Sequence, residues 1–318
     1  MTLYVPNVGE KECLKAILQG KAMVLGLFNT ALVPDGNTIF SSFTEMLTGG
    51  GRGYAKVELT NEIVESAAAA GKWYVSTDAN GKAIGQYGAV AQEFAFAAAD
   101  VADAASVYGA FMYTWRIPFD TGAIEIRPGD VVYGGTSHAY GVVTMVELQT
   151  GTWAAGTAAG YLYVKGKSGT FVDSEHLTIY GAIATLAVNV GGTGYAVGDI
   201  IQVASPLASY GRPAKLVVST ISVGVVTGLV VVDPGQGFAV DTGLVTTHLS
   251  GSGDNALTIN VSTLATTTFA DTNTGTSFSG DAHKQLLYVE VFPSPAPYAV
   301  TTAGQKVTYL PKFGAWSN

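Results

Sequence analysis

The side chains best able to hold a transition metal are four histidines, His138, His176, His248 and His283, and a single cysteine, Cys13. Zinc and iron sites are often announced by short spacings, a His-x-His pair or the His-Glu-x-x-His of a helix, because one local element then aims two ligands at once. No two of these residues stand at such a spacing, so no metal is assigned. One cysteine leaves no partner within the chain for a disulfide. His176, in Asp173-Ser174-Glu175-His176, has a neighbouring carboxylate that could raise its pKa, although an ordinary polar loop explains the same four residues. Nucleophilic catalysis needs Ser, Thr or Cys beside a base, most recognisably in a Gly-x-Ser-x-Gly elbow, and the sequence has none. Cys13 falls among apolar positions of a predicted helix and reads as a buried, inert thiol.

Asp120, Glu125, Asp130, Asp173, Glu175, Asp199, Asp233 and Asp241 mostly stand in or near predicted turns. Two carboxyls flanking a cleft would suit glycoside hydrolysis, and a cluster would suit Ca²⁺. No EF-hand or nonapeptide pattern groups them, and Asp is itself a favoured turn residue. Gly192-Thr193-Gly194-Tyr195-Ala196-Val197-Gly198 has the glycine texture of a dinucleotide fingerprint, yet its third glycine comes one residue late and no helix pattern comes after it. No catalytic, cofactor-binding or metal-binding residue is assigned, and no cofactor is expected. Trp73-Tyr74, Tyr108, Phe111, Tyr113 and Trp115 could make a platform for sugar rings. On a strand, however, Phe111, Tyr113 and Trp115 share one face by their period of two, which favours a core.

The elements that would position these residues are short strands. Met23–Asn29, Ala55–Leu59, Lys72–Thr77, Ala89–Phe96, Ser106–Trp115 and Ala123–Ile126 are β-prone, and turn clusters such as Pro34-Asp35-Gly36-Asn37 and Arg127-Pro128-Gly129-Asp130 separate them. The gaps are mostly too short for helical crossovers, which implies an antiparallel sandwich or barrel. A short amphipathic helix precedes them: Asn7 is its N-cap, Glu10 stands three residues on as in a capping box, Leu14, Ile17 and Leu18 share a face, and Gly20 ends it. The fold expected is mainly β, an antiparallel, jelly-roll-like β-sandwich with a short N-terminal helix plus a second small β module.

That second module holds an internal repeat. Gly192-Thr193-Gly194-Tyr195-Ala196-Val197 recurs as Gly235-Gln236-Gly237-Phe238-Ala239-Val240, 43 positions on, and each copy comes after a valine-rich strand. Two related hairpins packed face to face, each aromatic covering the other's core, is the simplest structure for this pattern. The Gly-, Ala- and Thr-rich stretch around 150–160 marks a boundary. Three segments result: 1–150, helix and sandwich; 151–265, the repeat module; and 266–318, linker, strand and C-terminal arm. Thr263–Gly280 reads as linker, Pro293, Pro295 and Pro297 stiffen the exit of the last arm, and Met1–Gly9 and Tyr298–Asn318 are candidate arms.

Charged residues are 13% of the chain, Lys and Arg number 16, and the net charge is −8. Phosphate binding runs on clustered cations, so no nucleic-acid partner is expected. No apolar run approaches the roughly 18–20 residues a membrane span requires, and no membrane partner is expected either. A folded surface this poor in charge leaves apolar area exposed, which points to subunit contacts.

The order Tyr4-Val5-Pro6-Asn7-Val8-Gly9-Glu10, early helix, Leu25-Gly26-Leu27-Phe28-Asn29, the 34–37 turn, Phe43-Thr44-Glu45, Gly53-Tyr54-Ala55 and Val107-Tyr108-Gly109-Ala110-Phe111 resembles bacteriophage head-decoration or cement-type virion structural proteins. The resemblance covers roughly the first 130 residues and implies a non-enzymatic capsid protein. Such a protein is assembled in the host cytoplasm, sits on the virion surface as a homotrimer, and has the major capsid protein as its partner. A phage tail or fibre component that binds host-surface carbohydrate is the alternative, and a glycan-cleaving enzyme a more distant one.

Overall fold

The computed structural model describes residues 7–35, 37–65, 67–103, 105–172, 175–206, 211–265, 269–270, 284–292 and 297–314. The chain is mainly β, with antiparallel sheets and a short N-terminal helix, in keeping with a β-sandwich-like fold. It divides into two compact units, residues 1–117 with 163–166 and 275–318, and residues 118–162 with 167–274.

In the first unit the central strand, Met23–Phe28, is buried along its whole length. It pairs on one side with Val57–Leu59 and on the other with the long strand Gly109–Gly122, Met23 opposite Thr114 and Phe28 opposite Gly109. Alternation sorts its side chains into two cores. Met23, Leu25 and Leu27 join Ala110, Met112 and Trp73 on one face, while Val24 and Phe28 join Phe111, Tyr113 and Phe43 on the other. Of the aromatics considered for a sugar platform, Trp73, Phe111 and Tyr113 are fully buried core residues, Tyr108 and Trp115 are partly buried against the second core, and Tyr74 is half-buried. Gly26 is required here because the Phe111 ring lies where a side chain would go, with Cζ 2.5 Å from an added Cβ.

The helix Asn7–Gly20 packs through Leu14 and Leu18, one row four residues apart, over Gly85 of the strand Ala83–Tyr87. That row is narrower than the apolar stripe in the sequence, so Ile17 is exposed, and Cys13, expected to be buried, is exposed as well. The C-terminal segment also departs from expectation. Tyr298–Ala299 pairs with Ser106–Val107, Lys306–Tyr309 with Gln92–Ala95, and Lys312–Gly314 with Ala83–Tyr87. Val300, Val307 and Tyr309 are buried in the first core, so residues 298–314 belong to the body of the unit and form no free arm. Pro293, Pro295, the tail beyond 314, residues 1–6 and most of the 263–280 linker lie outside the described residues.

The boundary between the units falls inside the strand Gly109–Gly122, whereas the sequence suggested a break near 150. The glycine-rich stretch there is the loop of a hairpin joining Tyr140–Thr150 to Ala158–Ser168. It is held by Thr157 N–H to the Thr152 carbonyl, 3.1 Å, and by Trp153 stacked on Phe119 at 5.2 Å. Ala123–Ile126, expected as a strand, is loop, because the 109–122 ladder has ended and the chain turns at Arg127–Asp130.

The repeat module consists of six strands: β1 (Ile183–Val190), β2 (Ile200–Val203), β3 (Ala214–Ser222), β4 (Val225–Asp233), β5 (Asp241–His248) and β6 (Thr258–Leu264). Shifting β1, β2 and β3 by 43 positions lands on β4, β5 and β6, so the repeat is a three-stranded unit longer than the glycine motif. The strands do not form two separate hairpin layers. They join one antiparallel sheet in the order β1-β6-β5-β2-β3-β4, in which the first strand of each copy pairs with the last strand of a copy: β1 with β6 across copies, β4 with β3. The core repeats accordingly: Ile183 and Val226, Tyr195 and Phe238, Ala214 and Leu257, Leu216 and Ile259, and Val218 and Val261 are all buried. Each aromatic does lie against the other copy, as the pattern implied. The Tyr195 ring packs where a side chain on Gly253 would be, and Phe238 stands beside Gly235, near Arg212 and Ala214.

Candidate functional site

The strongest concentration of charge in the second unit lies where the 125–131 turn meets the repeat module. Asp130 is only 1% exposed. Its Oδ2 accepts the Arg127 N–H at 2.9 Å, closing the turn, and its Oδ1 accepts Arg212 Nε at 2.9 Å. Arg212 reaches on through Nη1 to Asp233, which also accepts Arg127 Nη1 at 2.8 Å and the Gly235 N–H at 3.1 Å. Arg127 Nη2 then donates to Glu125 at 2.8 Å. Fully buried Gln236 completes the set by accepting the Val131 N–H at 2.6 Å. Two arginines thus bridge three carboxylates in an alternating chain.

Burial acts differently on the two inner carboxyls. It pushes Asp130 above the usual carboxylate range, against the pull of the Arg127 amide and the Arg212 guanidinium. Burial also works against the charge of Asp233, but the Gly235 amide and the two guanidiniums more than offset it and hold that carboxyl below its usual range. Beside the network opens a cleft of about 740 Å³. Ile124, Glu125, Arg127, Val231, Val232 and Asp233 are among the residues that line it. Its two acidic residues are both bound to Arg127, so they shape and charge the wall without a free carboxyl to give or take a proton.

The sequence marked Glu125, Asp130 and Asp233 only as turn residues, and the structure brings those three together. Arg127, Arg212 and Gln236 were not anticipated. The available signal was that both arginines precede a proline, Arg127-Pro128 and Arg212-Pro213, in a chain with few cations. Of the other acidic positions Asp199 serves a turn, whereas Asp241 and Asp120 stand on strands. Asp199 accepts the Ala196 N–H at 2.9 Å, Asp241 accepts that of Thr242 at 2.7 Å, and Asp120 accepts the Thr121 hydroxyl at 3.3 Å.

His138 Nδ1 shares a hydrogen bond with the Tyr133 hydroxyl, and His248 Nδ1 one with Asn255 Oδ1 at 2.8 Å. His176 is exposed on the strand His176–Ile179. Asp173 and His283 lie outside the described residues. Among the described residues no three His, Cys, Asp or Glu side chains converge on a metal position.

Glu175, considered for its effect on His176, has another role. Its carboxylate is buried and accepts the N–H groups of Thr136, Ser137 and Val172 at 2.9–3.0 Å and the Ser137 hydroxyl at 2.7 Å. Burial opposes the charge, but these donors prevail and lower its pKa. A lowered carboxylate pKa stabilises the fold above the unfolded value of about 4.3, and that contribution is lost as pH falls through the folded value. Glu175→Gln is therefore expected to cost about 1–3 kcal/mol at pH 7, with the gap from wild type narrowing toward pH 3. Urea denaturation at the two pH values measures it, and an equal gap at both would contradict the assignment.

Comparison with protein-family models, curated proteins and solved structures yields no match.

Proposed function

We propose that this protein is a structural component of a bacteriophage virion, a cement or decoration protein that binds the outside of the major capsid lattice as a trimer and stabilises the head. The observation that carries the reading is the outer surface of the repeat module. Val230, Val232 and Val245 are 53%, 64% and 68% exposed there. Exposed β-branched residues in a chain with 13% charged residues make a surface more like a subunit contact than a freely solvated face. The resemblance of the first 130 residues to decoration-type proteins supports the same reading. A shell under pressure from packaged DNA gains resistance when an added protein bridges neighbouring subunits. With residues 298–314 built into the core, the module face is a better candidate for that bridge than a C-terminal arm.

The deciding experiment mixes the purified protein with tailless heads that lack it, sediments them and heats them. Saturable co-sedimentation with delayed rupture is expected. Absence of binding would overturn the cement reading in favour of a tail or fibre component. For that alternative, the half-exposed rings of Tyr140 and Tyr180 offer faces on which host-surface sugars could stack, and binding to glycans would be the matching result.

A further inference from the structure

The two copies of the repeat are alike in backbone and unlike in what they hold. In the second copy, the loop Gly235–Phe238 grips the turn that leads into β1. The Gly237 N–H donates to the Tyr180 carbonyl at 2.9 Å and the Phe238 N–H to the Gly181 carbonyl at 3.0 Å. Gly181 fits only because it has no side chain, since an added Cβ would stand 2.6 Å from the backbone N and O of Phe238.

Shifted by 43 positions, the turn Tyr180–Gly181 becomes Val223–Gly224, and the donors become Gly194 and Tyr195. The ingredients are matched. Gly224 has φ +77° where Gly181 has +65°, and Gly194 has +78° where Gly237 has +83°. The seams are matched as well: Val226 N–H to the Gly191 carbonyl, 3.1 Å, repeats Ile183 N–H to the Pro234 carbonyl, 3.0 Å.

Yet the second latch is not made. Neither the Gly194 nor the Tyr195 N–H has an acceptor among the described residues. Among the described residues nothing lies within 4 Å of an added Cβ on Gly224, and Val223 is 100% exposed. Val223 also has φ +50°, a left-handed conformation that a β-branched residue adopts only under strain. A strained, fully exposed valine at the tip of a turn stands on the same chain as a pair of donors equivalent to those that hold Tyr180–Gly181.

We infer that the Val223–Gly224 turn of one copy of this chain docks on the Gly192–Tyr195 loop of a second copy, reproducing between chains the latch that Tyr180–Gly181 makes within one. This deepens the proposed function and rests on its reading of the protein as an assembling subunit. The positions that carry charge at the closed latch, Arg212 and Asp233, correspond to Asn255 and Val190 at the open one. At the open cradle Asp254 accepts the Thr193 N–H at 3.0 Å and the Thr193 hydroxyl at 2.8 Å, so the cradle carries a carboxylate and favours a turn without one, such as Val223–Gly224.

Sedimentation velocity of the full chain over a range of concentrations tests this. Wild type is expected to associate reversibly. Val223→Asp should raise the dissociation constant at least about tenfold, because a second carboxylate would be brought against a cradle that already holds Asp254. Asp accepts the left-handed region better than valine, so its melting temperature should be unchanged or higher, and Val223→Asn gives the same relief of strain without charge. Val90→Asp, at another exposed valine, should leave association intact. Hydrogen exchange at the Gly194 and Tyr195 amides should be fast in dilute monomer and slow in the assembly.

A wild type that stays monomeric, a Val223→Asp variant that assembles normally, or amides already protected in the monomer would each overturn the inference. Head co-sedimentation is scored separately. A monomer that still cements heads defeats only the latch, and an assembly that ignores heads defeats only the cement reading.

Discussion

Arg212→Met is expected to destabilise the second unit by about 3–5 kcal/mol at neutral pH, because removing one partner of a buried ion pair leaves the other charge uncompensated. Arg212 is the link between Asp130 and Asp233, and among the described residues Asp130 forms an ion pair with no other cation. Methionine roughly fills the stem of the side chain, so the loss reads mainly on charge. The pH dependence gives the claim its sign. Burial already raises the Asp130 pKa, and without the guanidinium it rises further. A carboxyl raised in the folded state favours folding below its unfolded pKa and ceases to as pH climbs through the folded value. The deficit of Arg212→Met should accordingly be smaller near pH 4 than near pH 8, and Asp130→Asn in the same chain should restore part of it at pH 8. Denaturation curves of wild type, the two single variants and the double variant decide the matter; a deficit independent of both pH and Asp130 would mean that packing, and not charge, is what Arg212 contributes.

Gly181→Ala and Gly224→Ala form the second test, a pair of identical substitutions at positions related by the repeat. Both glycines have left-handed φ, so each alanine costs about 1–2 kcal/mol from the backbone alone. At Gly224 nothing else among the described residues is nearby and the cost should stop there. At Gly181 the new methyl meets Phe238 N and O at 2.6 Å, and the Gly237 and Phe238 hydrogen bonds must open to admit it. The total is expected to reach about 3 kcal/mol or more, with overpacking added to backbone strain. Equal losses at the two sites, measured by thermal or urea unfolding of the monomer, would show that the two latches are in the same state.

How much could be read from the residues alone depends on the range of the interactions concerned. β-propensity and period-two alternation are local, so Met23–Phe28, Trp73–Thr77 and the aromatic face of Gly109–Gly122 were legible, the first two as β-prone runs between turn residues, as was the mainly β character. The repeat was legible through its glycines, which impose left-handed turns that few other residues accept. Its strand order was not, because pairing β1 with β6 is a choice among long-range partners that no local pattern encodes. The C-terminal strands were misread as an arm for the same reason: Val307 and Tyr309 alternate plainly, but their ladder partner, Gln92–Ala95, is far away in sequence. The arginine–carboxylate chain was hidden because each carboxylate alone is an ordinary turn residue. Only the fold places Asp130, Arg212 and Asp233 within reach of one another.

The pairing of the first strand of the module with its last also sets the order of events as the chain emerges from a ribosome. β1 leaves first and must wait for β6, while β4 returns to β3 at once through the two-residue turn at Val223–Gly224. Until residue 264 has been synthesised, an apolar strand of eight residues has no ladder to join, which is the condition under which nascent chains pair wrongly with one another. The alternating Thr185, Ala187 and Asn189 of β1, set against Val225, Val226 and the Val230–Val232 run of β4, put the less adhesive sequence in the strand that has to wait.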